Sequence, residues 1–123
     1  MSDALAERVA ERERLLDLAR VYVERLSARI DVVTAVVAGS VARGDFNVWS
    51  DVDVVVVATE LPVRAPDRGL LLAHDAPGRV QPVGFTPEEF AQALDCRNPL
   101  VVEAVTSGVV LAGDGSVQNL HRT

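Results

Sequence analysis

The sequence predicts a single domain of the α/β (α+β) class, and three observations predict it. A long N-terminal stretch repeats apolar residues at three- and four-residue steps, two β-branched runs of strand length follow, and capped helical segments then alternate with short apolar runs as far as Ala112. The chain has 123 residues and a mass of 13.2 kDa, the size of one domain. A chain of that length buries roughly two thirds of the surface its unfolded form exposes and needs no disulfide staple. The domain is expected over residues 1–113, with 114–123 as a polar tail.

In the first thirty residues Leu5, Val9, Leu15, Leu16, Ala19, Tyr22, Val23, Leu26 and Ile30 mark one helical face, and Ser2 or Asp3 can cap its start. That face packs on a sheet, although a helix this long leaves room for part of it to serve a partner. Val32 to Ala38 is a β-branched run bounded by Gly39 and Ser40, the pattern of a buried strand. A short helix over 41–45 and a loop over 46–50 come next. Asp51 to Ala58 is the strongest strand, because its valines lose rotamer freedom in a helix and favour extended backbone.

Residues 59–79 carry three prolines and two glycines and read as a long connection with one helical turn around Leu70 to Ala73, a patch that is either core or interface. Residues 79–85 read as a third strand, and Pro82 inside it argues for an edge position or a bulge. Thr86-Pro87-Glu88-Glu89 is a helix start: Thr86 as N-cap, Pro87 at the first helical position, Glu89 closing a capping box. Asn98-Pro99 opens a further helix to about Thr106, closed by Gly108, and Val109 to Ala112 forms a last short strand.

Eighteen acidic residues against twelve basic ones give a net charge of −6. That balance argues against steering onto duplex DNA or an anionic membrane, so any polyphosphate ligand must be met locally. All twelve basic residues are arginine, which reads as compositional bias of the source genome. The longest apolar runs fall far short of the ~20 residues of a membrane span, and the N-terminus is acidic and helical in pattern, unlike a signal peptide. A lone Cys96 makes no internal bridge, so a reducing cytoplasm is the expected compartment.

The chemistry concentrates between Gly39 and Asp53. A strand that ends in Gly-Ser and feeds a short helix leaves unpaired N–H groups at the helix start, a seat for phosphate. Gly39 lets the backbone approach closely, the Ser40 hydroxyl adds a donor, and Arg43 one turn on adds a charge-assisted hydrogen bond. Asp51 and Asp53, two apart on a strand, leave the same face ~7 Å apart along the backbone. Two such carboxylates in a strand buried on both faces call for a cation, and Mg²⁺ fits oxygen ligands while keeping positions for substrate phosphates. Phosphate seat and paired carboxylates together are the equipment of phosphoryl or nucleotidyl transfer.

At these residues the sequence resembles the minimal nucleotidyltransferases of the DNA polymerase β superfamily, whose signature of Gly-Ser, Arg-Gly and Ser-Asp-x-Asp reads here as GSVARGDFNVWSDVD from Gly39 to Asp53. The likeness extends loosely through Phe85 to Phe90 and Asn98 to Val105. It implies the nucleotidyltransferase fold, a small mixed sheet with helices packed mainly on one face behind a long N-terminal helix. It also implies a nucleoside triphosphate, ATP by preference, held by Gly39, Ser40, Arg43 and Gly44, with Mg²⁺ or Mn²⁺ on the catalytic pair Asp51 and Asp53. A third carboxylate normally completes such a site, and alignment puts Gln81 at that position, where an amide brings no negative charge. Small members of this length lack an acceptor-binding domain, and many pair with a HEPN-type helical protein as antitoxin to its toxin. A homodimer or hetero-oligomer is therefore expected, and a catalytically weak nucleotide-binding subunit is the alternative to an active enzyme.

Plainer readings stand beside these. Gly39 to Gly44 by itself is a tight turn with Ser40 as N-cap; Asp45 is a helix-end or solvent residue; Glu88 and Glu89 complement a helix dipole. Trp49 either stacks on a base or partner or packs in its loop, the second reading being favoured. His74 and His121 are solvated, and Cys96 fills an apolar gap near a helix end.

Overall fold

The structure, a computed structural model, describes residues 3–113. Ser2, His121 and the tail expected over 114–123 lie outside the described residues. The elements run α1 (Asp3–Ser27), β1 (Val32–Ala38), α2 (Gly39–Arg43), β2 (Val52–Ala58), α3 (Ala65–Ala73), β3 (Val80–Phe85), α4 (Pro87–Asp95), α5 (Pro99–Ser107) and β4 (Val109–Ala112). The sheet order is β3-β2-β1-β4, with β1 antiparallel to β2 and β4, and β2 parallel to β3. The expected mixed sheet and long first helix are both present. Pro82 sits in β3, an edge strand, where its missing N–H breaks no ladder on the open side.

Both faces of β1 and β2 are apolar, and that decides where the helices go. Ala35, Val37, Val54 and Val56 face Leu15, Leu16, Ala19, Tyr22, Val23 and Leu26 of α1, with Leu72 of α3. Val36, Ala38, Val55 and Val57 face Phe90 of α4 and Val101, Ala104 and Val105 of α5. The expectation of helices mainly on one face is therefore corrected: a strand with valines on both sides needs cover on both. Tyr22 ties the first layer together, because its buried hydroxyl donates to the Leu72 carbonyl at 2.9 Å.

Local chemistry accounts for the remaining boundaries. Thr86 and Glu89 form the reciprocal capping box, and the Asn98 side chain accepts from the Leu100 and Val101 amides. The 59–79 connection holds more helix than expected. Proline near the start of α3 suits the first turn, and Leu72 anchors it while Leu70 stays exposed, so the Leu70 to Ala73 patch divides between core and surface. Gly108 closes α5 in extended backbone; a Cβ there would overlap Val36 and the Ala104 carbonyl, so close packing, not positive φ, requires it. Leu5 and Val9 are exposed, so the apolar face of α1 that packs begins at Leu15. Cys96 is exposed at the end of α4, which corrects its reading as a gap filler.

Candidate active site

Three chain segments meet at one edge of the sheet, where β1 ends and β2 and β3 begin. Ala38 pairs with Asp53 and Asp53 pairs with Gln81, so these three residues form one row across the strands. By strand alternation the row faces the α4–α5 side, like Val55 and Val57. Gly39 leaves that row at φ +76°, and a Cβ on it would run into the Asp53 carboxylate. Glycine is required twice over, for the turn and for the carboxylate laid against it.

The short helix starts two residues earlier than expected, at Gly39, with Ala38 preceding it and no side-chain cap. Ser40 therefore lies inside the first turn and is not an N-cap. Gly44, at φ +90°, ends the helix by donating its N–H to the Ser40 carbonyl at 2.8 Å, and the Asp45 N–H reaches the same oxygen at 3.1 Å. A five-residue helix has too few internal bonds to stand alone. Arginines from α1 hold it. Arg12 donates Nε to Val41 O at 2.9 Å and Nη2 to Ala42 O at 3.0 Å, and Arg8 donates Nη2 to Gly44 O and Phe46 O while lying over the Phe46 ring. Arg79 grips the far end of the loop, donating Nη2 to Ser50 O at 2.7 Å and pairing weakly with Glu11. Each of these arginines sets several donors against backbone carbonyls or a carboxylate, which a lysine ammonium matches poorly. Reading the arginines as composition alone missed this use; Arg8 and Arg12 lie four apart on one helix face, which was the available signal.

Asp51 is exposed and Asp53 half-buried, and neither carboxylate joins a hydrogen bond or ion pair among the described residues. Burial, then the neighbouring Asp51 and Glu103, push the Asp53 carboxyl above its ordinary value, against a smaller opposing pull from Arg43. Arg43 itself is engaged: Nε reaches Asp45 Oδ2 at 3.2 Å and Nη1 reaches the carboxylate of Glu103 on α5. Those two carboxylates raise its pKa. Asp45 is the exposed helix-end residue expected and also an Arg43 partner, and Glu103 was missed because its helix position gave no hint that α5 crosses beside α2. Gln81 is exposed. Among the described residues no three of His, Cys, Asp and Glu come together as a metal-holding group.

Trp49 does not pack in its loop. It is 87% exposed, on a turn closed by Asn47 and Ser50. Two cavities lie along α1. One of about 550 Å³ runs beside Leu15, Leu18, Val21 and Tyr22, a second runs beside Arg8, Phe46 and Val48, and both touch Glu11, Arg14 and Arg79. Neither is lined by Asp51 or Asp53. No described helix is long and apolar enough to cross a membrane.

This geometry has counterparts. The nucleotidyltransferase domain family matches residues 19–83, a span of more than half the chain that holds Gly39, Ser40, Arg43, Asp51, Asp53 and Gln81. Among solved structures, a protein from Sulfolobus solfataricus proposed to be a nucleotidyltransferase superposes with a TM-score of 0.64 at 22% identity, over 84% of this chain and 84% of its own. A search of the curated proteins finds no match. With its Gly-Ser turn laid against an Asp-x-Asp strand and more than half of its length inside the family's match, the chain belongs to the nucleotidyltransferase domain family.

Proposed function

We propose that the protein transfers a nucleoside monophosphate, AMP from ATP by preference, to a hydroxyl group, with a divalent cation held by Asp51 and Asp53. The observation that carries this reading is the Asp53 carboxylate lying against Gly39, which sets an acidic pair beside the first turn of α2. Asp45 and Glu103 engage Arg43 while Asp51 and Glu103 act on Asp53, so carboxylates predominate at the site. A triphosphate entering it is repelled unless a cation intervenes. The donor set suits a hard ion: two carboxylates without partners among the described residues, one of them exposed to water. Mg²⁺ or Mn²⁺ there would draw charge from the triphosphate and acidify the attacking hydroxyl.

The chain's own residues do the rest. Gly39 and Ser40 offer N–H groups to phosphate oxygens, Gly44 shapes the turn behind them, and Arg43 adds positive charge. The hydroxyl oxygen attacks the α-phosphorus, the bond to the β-phosphate oxygen breaks, and pyrophosphate leaves. A base must accept the hydroxyl proton. Gln81, neighbour of Asp53 in the ladder, has an amide where a carboxylate would serve. That neighbour favours a second reading, a nucleotide-binding subunit of weak activity that acts by covering a HEPN-type helical partner.

Titration calorimetry with ATP and Mg²⁺ tests the site. Wild type should bind, and the double variant Asp51→Asn, Asp53→Asn should not; equal affinity in the two removes the metal-site reading. Transfer from labelled ATP then separates active enzyme from silent subunit. Slow transfer by wild type that rises on the order of 10²- to 10⁴-fold in Gln81→Glu is the expected result. Brisk wild-type transfer with no gain in the variant would show that another group takes the proton.

A further inference from the structure

Resting on that nucleotide-site reading, we propose that Glu103 of α5 is a positioning residue for the triphosphate, acting through Arg43. Arg43 belongs to α2 and Glu103 to α5, sixty residues later, yet Glu103 takes Nη1 of the guanidinium while Asp45 takes Nε at 3.2 Å. Nη2 has no hydrogen-bond partner among the described residues. A guanidinium held on two of its three nitrogens is a different ligand from a free one. A free arginine must give up its rotamer freedom when a phosphate binds; this one has already given it up, and one nitrogen remains to be used.

The position of Glu103 supports the role. Its side chain is 23% exposed, enclosed enough to hold one orientation yet open to the site, and it lies close enough to Asp53 to disfavour that carboxylate's charge. The element behind it is rigid. Val101, Ala104 and Val105 bury one face of α5 in the sheet, and Asn98 caps its start, so the Glu103 backbone is fixed relative to β1 and β2. Asn98 to Val105 thus has a task beyond core packing: it carries a carboxylate to the nucleotide edge of the sheet.

The experiment is titration of ATP with Mg²⁺, and separately of inorganic triphosphate with Mg²⁺, into wild type, Glu103→Ala, Glu103→Gln, Arg43→Ala and the Arg43→Ala, Glu103→Ala double variant. Thermal melts check that each variant folds. Glu103→Ala should weaken both probes by about 2- to 10-fold, the range for one immobilised side chain. Glu103→Gln, which keeps an acceptor, should recover part of the loss. Because Glu103 acts through Arg43, the double variant should bind no more weakly than Arg43→Ala alone. Unchanged affinity in Glu103→Ala beside a loss in Arg43→Ala would overturn the proposal, as would additive losses. Tighter binding in Glu103→Ala would also overturn it, since the ion pair would then compete with phosphate. Failure of wild type to bind either probe would instead bring down the nucleotide reading, and this proposal with it.

Discussion

Asp53 shows at a single residue how burial and neighbouring carboxylates work against stability. Its carboxyl is pushed up chiefly by burial, with Asp51 and Glu103 adding repulsion. A carboxyl whose folded pKa is raised stabilises the fold only below its unfolded pKa, and that contribution is lost as pH rises through the raised value. Asp53→Asn should therefore be more stable than wild type at pH 7 without cation, by at most about 1 kcal/mol because solvent screens so open a group. The advantage should shrink as pH falls toward 4. Urea melts across that range check it, and equal stabilities at pH 7 would mean that Asp53 is not under strain in the free protein. The closeness of Asp51 and Asp53 was legible in the sequence from their spacing, although β2 begins at Val52 and leaves Asp51 just before the strand. Glu103 was not, since its meeting with Arg43 depends on how α5 crosses α2.

Among the elements, the five-residue α2, where the site is proposed, leans on α1. Arg12 caps its last carbonyls with two nitrogens, while the buried Val41 side chain packs in the core that α1 lines. Arg12→Ala removes both bonds from partly buried carbonyls and should lower stability by about 2 kcal/mol. Amide exchange should speed up at Val41 to Gly44 before it does in β1 or β2, and ATP binding should weaken. Unaltered exchange in α2 would show that Gly44 and the sheet suffice to hold it. The helix caps tell the opposite story. Thr86 with Glu89, and Asn98 with its two amides, were readable because the bonds join residues two or three apart.

Over the whole molecule, a ligand held only by the folded state must raise its melting temperature. ATP with Mg²⁺ at about 100 times its Kd should add about 2.7 kcal/mol, a shift of roughly 10 °C for a domain of this size. ATP without the cation should add almost nothing, because a triphosphate meets an acidic edge on a chain of net charge −6. An equal shift with and without cation would mean that the phosphates are met by arginines alone.

By itself the sequence determined the strands, the caps at Thr86 and Asn98 and the nearness of the two aspartates, because each rests on neighbours along the chain: valines that favour extended backbone, a threonine and glutamate three apart, two aspartates separated by one residue. Valines on consecutive positions also marked β2 itself as a strand buried on both faces. Only the tertiary structure decided that α1 and α5 lie on opposite faces, that Arg8, Arg12 and Arg79 hold the site loop by its carbonyls, that Trp49 stands in solvent, and that Glu103 reaches Arg43. These contacts join residues far apart in sequence, and a long side chain on a helix carries no local mark of the partner that folding brings to it.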